Sequence, residues 1–129
     1  MKSTIIMSLF TMLLGIFSCQ AQNKGYESVS ADDFEHIIAD TNVIRLDVRT
    51  NQEYNDGHIE NAINIDVLQD DFEKKAIATL NKAQTIAVYC RSGRRSKSAA
   101  QILVKKGYKI VELDTGYLGW KSAGKKIAN

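Results

Sequence analysis

The 129-residue sequence has no proline, only two cysteines, a formal net charge of only +2, and no internal repeat or low-complexity tract. The small charge gives no support for nucleic-acid binding, because the basic residues are spread along the chain and not gathered in one patch. Hydrophobic residues make up 44% and charged residues 25%, which is typical of a globular protein and excludes a disordered or fibrous chain. A chain of this length forms one domain.

The sequence also lacks an apolar run long enough to cross a membrane. Its longest such run, Ile5 to Phe17, has 13 residues and follows Lys2, whereas a transmembrane helix needs roughly 20 residues. This length and the preceding charge are typical of a signal peptide. The run ends at Phe17-Ser18-Cys19, which resembles a bacterial lipobox, in which a cysteine is lipidated and becomes the first residue of the mature protein.

We therefore predict a lipoprotein-type signal peptide over residues 1–18, lipidation of Cys19, and a polar tether over residues 19–25. The alternative is an ordinary cleavage site after Ala21, with Cys19 incidental. A lipid anchor at Cys19 would attach an exported bacterial protein to a membrane, with the outer membrane and periplasm favoured. A lipidated Cys19 could not form a disulfide with Cys90, which leaves Cys90 as the one free thiol of an exported chain.

From residue 26 onward, short apolar segments alternate with segments of helical periodicity. Strands are predicted at 26–29, 42–48, the end of 58–65, 85–89 and 108–113. Helices are predicted at 32–39, after a capping residue at position 50, and at 72–80, 98–106 and 117–122. This alternation predicts an α/β domain over residues 26–124, with a largely parallel sheet covered by helices on both faces, and a C-terminal tail over 125–129. In such sheets the ligand lies at the carboxyl ends of the strands.

One of these carboxyl ends carries Cys90, which follows strand 85–89 and begins the run Cys90-Arg91-Ser92-Gly93-Arg94-Arg95-Ser96. A cysteine acts as a nucleophile in its thiolate form. The N–H groups of a tight loop, the positive end of the following helix and the nearby arginines would all stabilise that anion. Gly93 lets the loop close, because glycine adopts positive φ at little cost. The run therefore predicts an anion-binding nucleophile.

Three stretches of the chain resemble the rhodanese family of sulfurtransferases. The first runs from Leu46-Asp47-Val48-Arg49 to Ile65, the second is the Cys90 loop, and the third runs from Gly107-Tyr108 to Trp120. The resemblance implies a single rhodanese domain, with a three-layer α/β/α fold on a five-stranded parallel sheet. The sequence departs from many members in having no proline after Gly124.

The resemblance also implies the chemistry of the site. Cys90 would be the nucleophile and would carry a persulfide between a small-molecule sulfur donor, such as thiosulfate, and a thiol or cyanide acceptor. Residues Arg91, Ser92, Gly93, Arg94 and Arg95 would form the loop that binds the substrate anion. We predict no metal and no other cofactor, and the sequence does not indicate an oligomeric state.

The sequence leaves two alternatives to sulfur transfer. Cysteine-dependent phosphatases and arsenate reductases have a Cys-x5-Arg loop, but here four residues separate Cys90 from Arg95, and the phosphatase arginine position holds Ser96. A loop one residue shorter fits a sulfur anion better than a phosphate. The other alternative is an inactive rhodanese-like binding module, although such domains usually lack the cysteine.

Three charged residues outside the loop have two interpretations. Asp47, Arg49 and Glu53 could orient the loop arginines through charge-assisted hydrogen bonds. The favoured interpretation is that they form structural pairs, with Arg49 bound to Glu53. Glu53 also matches a capping box with Thr50. His58 is interpreted as a structural residue of the turn that contains it.

Overall fold

The computed structural model describes residues 24–129, and none of the helices in this range is long and apolar enough to cross a membrane. The predicted signal peptide, the lipidation site Cys19 and most of the predicted tether lie outside the described residues. The described strands are β1 (Glu27–Val29), β2 (Ile44–Asp47), β3 (Ile63–Asn64), β4 (Thr85–Tyr89) and β5 (Lys109–Leu113). The described helices are α1 (Ala31–Ile38), α2 (Asn51–Asp56), α3 (Phe72–Thr79), α4 (Arg94–Lys105) and α5 (Gly116–Ser122).

The strands form one parallel sheet in the order β1-β5-β4-β2-β3. The predicted α/β fold on a five-stranded parallel sheet is confirmed. β4 lies at the centre, and Tyr89 at its end pairs with Asp47 at the end of β2. The sheet therefore places the carboxyl end of β2 beside Cys90.

Helices cover both faces of the sheet, which gives three layers. The side chains of β4 alternate between the two faces, as those of any strand do. Ile86, Val88 and Cys90 pack on the face covered by α3 and α4, whereas Ala87 and Tyr89 pack on the face covered by α1 and α5. Because of this alternation, the Cys90 side chain lies on the same face of the sheet as α4.

The first turns of the helices show where local sequence signals decide the structure. Thr50 and Glu53 form the predicted capping box of α2, each side chain bonding to the backbone of the other. The predicted start of the fourth helix at Ser98 is wrong, because α4 begins at Arg94 with Gly93 as its N-cap. The prediction placed Arg94 and Arg95 in a loop, but arginine has a high helix propensity and Gly93 ends the loop before them.

The last residues of the chain are joined to the rest of the fold. The backbone of Ala128 exchanges two hydrogen bonds with that of His58, at 2.9 and 2.8 Å. The indole N–H of Trp120 donates to the Lys126 carbonyl at 2.8 Å. Trp120 itself is buried and packs edge-on against Phe34, as expected of a core residue.

Candidate active site

Cys90 lies at the base of a short loop between β4 and α4. Its side chain is buried, with 1% of the residue exposed, and its Sγ accepts a hydrogen bond from the Gly93 N–H at 3.1 Å. The carbonyl groups of Cys90 and Arg91 accept from the N–H groups of Tyr117 and Leu118, at 2.8 and 3.0 Å. The loop is thus tied to the first turn of α5, and a backbone donor at the start of α4 is directed at the sulfur.

The conformation of Gly93 is required by the loop. Its φ of 102° lies in the left-handed region, where glycine is favoured. A Cβ at this position would overlap the carbonyl oxygen of Asp114, in the connection between β5 and α5. Glycine therefore lets the backbone turn toward the sulfur and pack closely against the neighbouring connection.

The three arginines of the motif differ in their surroundings. Arg91 and Arg94 are exposed beside the loop, whereas Arg95 is partly buried in the first turn of α4. The Arg95 guanidinium donates to both carboxylate oxygens of Glu53, at 2.8 and 3.0 Å. The hydrogen bonds that Arg95 and Thr50 donate to Glu53 lower the pKa of its carboxyl group to about 2, although burial acts in the opposite direction.

Arg95 is also close enough to Cys90 for their charges to interact. The pKa of Arg95 is raised, first by the hydrogen bonds to Glu53 and also by the negative charge that an ionised Cys90 places near it. A guanidinium carries five N–H donors, so the pair with Glu53 does not use all of them. Among Asp47, Arg49 and Glu53, Glu53 is the residue that contacts an arginine of the predicted anion-binding motif.

Asp47 and Arg49 form a separate buried pair, so the predicted pairing of Arg49 with Glu53 is wrong. The Arg49 side chain folds back on Asp47, with its Nη2 2.6 Å from Oδ2 and its Nε 3.0 Å from Oδ1. Arg49 also donates to the Gly57 carbonyl, and the Tyr89 hydroxyl donates to Asp47. Glu53 is directed instead toward the capping box and α4, because it occupies the third position of α2.

His58 has structural contacts of the kind predicted for it. Its ring stacks on that of Tyr54 at a centroid distance of 3.8 Å, and its Nδ1 lies 2.9 Å from the Tyr54 carbonyl oxygen. Its backbone pairs with the end of the chain, as described above. These contacts join the turn after α2 to the C-terminal residues.

The sequence prediction missed a second polar group behind the sulfur. Ser96 Oγ lies 3.3 Å from Cys90 Sγ and donates to the Glu112 carboxylate at 2.5 Å. The same carboxylate accepts from the Ser28 hydroxyl and lies 3.3 Å from the Lys97 ammonium. Ser96 and Glu112 are fully buried. The sequence does contain one indication of this group. Glu112 is a charged residue within an apolar strand of a sheet that is predicted to be covered on both faces.

A cleft of about 250 Å³ lies beside the loop. Its lining includes the cations Arg49, Arg91 and Lys121, the carboxylates of Glu53 and Asp56, and the apolar or aromatic side chains of Leu118, Ile127 and Tyr117. Leu118 and Ile127 are two of the exposed large hydrophobic residues of the described chain. The cleft therefore offers charges of both signs and apolar contact next to Arg91.

The chain is similar to proteins of known family. Residues 30–123 match the rhodanese-like domain family. The chain is 42% identical over 67 residues to thiosulfate sulfurtransferase PspE of Escherichia coli K12, covering 52% of this chain and 64% of that protein. It is 31% identical over 110 residues to tRNA uridine(34) hydroxylase of Pelagibacter ubique, covering 84% of this chain but 36% of that protein. The chain thus spans less than two thirds of the length of either relative.

A solved structure gives the same result for the fold. The crystal structure of a rhodanese-related protein from Thermoplasma volcanium is similar with a TM-score of 0.72 and 31% sequence identity. The alignment covers 80% of this chain and 98% of the other. The family match over residues 30–123 and this structural likeness agree with the three motifs, and the chain therefore belongs to the rhodanese-like domain family.

Proposed function

We propose that the protein is a sulfurtransferase that moves a sulfane sulfur from a donor such as thiosulfate to a thiol or cyanide, through a persulfide on Cys90. The observation that carries this proposal is the buried Cys90 Sγ facing the Gly93 N–H at the start of α4. The similarity to a protein named thiosulfate sulfurtransferase supports the choice of donor.

In the first half of the reaction, the Cys90 thiolate attacks the outer sulfur of thiosulfate. A new S–S bond forms to Sγ, the S–S bond of thiosulfate breaks, and sulfite leaves with the electron pair of that bond. The persulfide keeps one negative charge on its terminal sulfur. The Gly93 N–H, the positive end of the 12-residue helix α4 and the Arg95 guanidinium stabilise negative charge at this position.

In the second half, a thiolate or cyanide attacks the terminal sulfur, and the S–S bond to Cys90 breaks. Because Cys90 is buried, Sγ itself is poorly accessible to a bulky reagent, whereas the terminal sulfur extends beyond it. The cleft beside Arg91 is the place for the rest of a thiol acceptor, since it offers charged groups of both signs and apolar side chains. The exposed side chains of Arg91 and Arg94 beside Cys90 favour the approach of anions.

The geometry gives less support to the phosphatase alternative. A Cys-x5-Arg loop would need a guanidinium at position 96, where this chain has a buried serine that is hydrogen-bonded to Cys90. The Arg95 guanidinium, one position earlier, is bound to Glu53. A binding module without activity would have no need of a buried thiol with a directed backbone donor.

A steady-state assay tests the proposal. The purified protein should form thiocyanate from thiosulfate and cyanide, and Cys90→Ser should abolish the reaction while remaining folded. Hydrolysis of an aryl phosphate by the wild type, without any thiocyanate formation, would favour the phosphatase alternative. A biological effect that persists in Cys90→Ser would favour the binding module.

We also propose that the mature protein is anchored to a bacterial membrane through a lipid on Cys19, and that its domain faces the periplasm. The lipobox-like sequence and the preceding 13-residue apolar run support this proposal. Cys19→Ala should block processing or move the protein from the membrane fraction to the soluble one. Unchanged processing and unchanged membrane fractionation of Cys19→Ala would contradict it.

A further inference from the structure

The hydrogen bonds behind the sulfur connect Cys90 to a carboxylate that the sulfur-transfer steps do not use. The Cys90 thiol donates to Ser96 Oγ at 3.3 Å, and the Ser96 hydroxyl donates to Glu112 Oε2 at 2.5 Å. All three residues are buried, with exposures of 1% for Cys90 and 0% for Ser96 and Glu112. A proton leaving the thiol thus has a direct hydrogen-bonded route to Glu112.

The groups that face Glu112 come from two elements, β1 and α4, and from the segment before β1. Ser28 on β1 donates to Oε1 at 2.5 Å, and Lys97 on α4 lies 3.3 Å from the same oxygen. Lys97 is also paired with the exposed Asp114, at 2.9 Å. The pKa of Tyr26, before β1, is raised mainly by burial and then by the charge on Glu112. An ionised Cys90 would also interact with the charge of Arg95.

The two hydrogen bonds can reverse direction without leaving any polar group unpaired. If the thiol proton passes to Ser96 and the Ser96 proton passes to Glu112, Ser96 then donates to the sulfur and accepts from the carboxylic acid. Each atom keeps its partner, so the reversal avoids the cost of an unsatisfied buried group. Ser96 is suited to this exchange because a hydroxyl both donates and accepts.

We propose that Glu112, acting through Ser96, takes up the proton of Cys90 when the persulfide forms and returns it when the sulfur is passed on. This inference rests on the proposed persulfide chemistry. In the first half-reaction, the Cys90 thiol, the Glu112 carboxylate and thiosulfate dianion give the Cys90 persulfide anion, neutral Glu112 and sulfite dianion. Atoms and charge balance, and no proton enters or leaves the protein.

The second half-reaction closes the cycle. A thiolate acceptor takes the terminal sulfur as its own persulfide anion, and the electron pair of the broken S–S bond goes to Cys90 Sγ. Glu112 gives its proton to Ser96, whose proton passes to Sγ, which restores the thiol and the Glu112 carboxylate. Protonation of Sγ as the S–S bond breaks would assist its departure, since a protonated leaving group carries no charge.

Constant charge is the physical reason for this role. A thiolate or persulfide next to an ionised Glu112 would place two negative charges in a buried site, where like charges repel more strongly than in water. Lys97 offsets part of that repulsion, but it is shared with Asp114. Neutralising Glu112 when the sulfur becomes anionic keeps the charge of the buried site unchanged. Glu112 is thus a positioning residue, because it acts on the sulfur through Ser96.

Infrared difference spectroscopy tests the proposal on the full domain. Addition of thiosulfate to the wild type should replace a carboxylate band by the C=O band of a protonated carboxyl group, and addition of cyanide should reverse the change. Glu112→Gln should lose the band, and Glu73→Gln should keep it. Glu73 is a suitable control because it pairs with Lys106 on the surface. The mass of each sample shows separately whether the persulfide has formed.

A second variant, Ser96→Ala, tests the same proposal if Glu112→Gln does not fold. Ser96→Ala removes the link between the two groups, so it should lose the carboxyl band and form the persulfide at least about tenfold more slowly at neutral pH. A wild-type persulfide without the carboxyl band would overturn this inference and leave the sulfurtransferase proposal standing. The absence of any persulfide would overturn both. A band that persists in both Glu112→Gln and Ser96→Ala would assign the proton to another group.

Discussion

The guanidinium of Arg95 binds both carboxylate oxygens of Glu53, a residue 42 positions earlier in the chain. This pair joins the first turn of α4, which follows the Cys90 loop, to α2, which follows β2. Glu53 has a second role at the same time, because it completes the capping box with Thr50. A residue that looks like a local helix signal in the sequence therefore also binds an arginine in the first turn of α4.

Glu53→Gln should weaken sulfur transfer. The amide keeps the size of the side chain but loses the charge that holds Arg95 through two hydrogen bonds, so the guanidinium would be less well placed to stabilise the persulfide. We expect kcat/KM for thiosulfate to fall by about tenfold, which corresponds to about 1.4 kcal/mol. Glu73→Gln serves as the surface control, and equal kcat/KM values for the two variants would argue against this role of Glu53.

The same pair should make stability depend on pH in a defined window. The pKa of Glu53 in the folded protein is about 2, below its usual 4.5. The stabilisation of the fold by ionised Glu53 is therefore fully present above about pH 4.5 and is lost as the pH falls through about 2. Because the pair is partly exposed, we expect this contribution to be about 1 kcal/mol.

Urea unfolding of the wild type and Glu53→Gln across this pH range measures the effect. The difference between their free energies of unfolding should be largest at neutral pH and should shrink toward pH 2. A difference that stays constant throughout the acid range would show that the charge of Glu53 does not stabilise the fold.

Gly93→Ala should disrupt the Cys90 loop. The new Cβ would meet the Asp114 carbonyl and would also require a left-handed conformation that alanine disfavours. We expect a loss of about 2–3 kcal/mol in unfolding free energy or a displaced loop, with loss of the Gly93 donor to sulfur and of most activity. Gly124→Ala is the matched control, because Gly124 also has positive φ but has open space around its Cβ position. Similar effects of the two substitutions would contradict the packing argument.

Asp47→Ala should be strongly destabilising. The substitution leaves the buried Arg49 guanidinium without its carboxylate and removes the acceptor of the Tyr89 hydroxyl. Breaking a buried ion pair of this kind costs about 3–5 kcal/mol. The comparison is Asp71→Ala, which breaks an exposed pair with Lys75 and should cost no more than about 0.5 kcal/mol. Urea unfolding of both variants measures the difference, and equal costs would exclude a structural role for the Asp47–Arg49 pair.

The parallel sheet and the position of Cys90 could be predicted from the sequence, because both follow from local patterns. Apolar segments that alternate with helical periodicity leave little choice of fold, and a cysteine directly after the central strand must lie at a carboxyl end. The capping box of Thr50 and Glu53 was likewise predictable, since its partners are three residues apart.

The partners of the charged residues could not be predicted in the same way. Arg49 has Asp47 two residues before it and Glu53 four residues after it, and only the packed structure shows that its side chain turns back to Asp47. The contact of Ser96 with Glu112 depends on α4 lying against β5, at a separation of 16 residues. The start of α4 was missed because a positive-φ glycine, and not a serine cap, precedes it.

The central claim is tested most directly by the mass of the protein after reaction with thiosulfate. The account predicts a gain of one sulfur atom, located on the peptide that contains Cys90, lost on addition of cyanide and absent from Cys90→Ser. No gain of mass in the wild type, or the same gain in Cys90→Ser, would contradict the account.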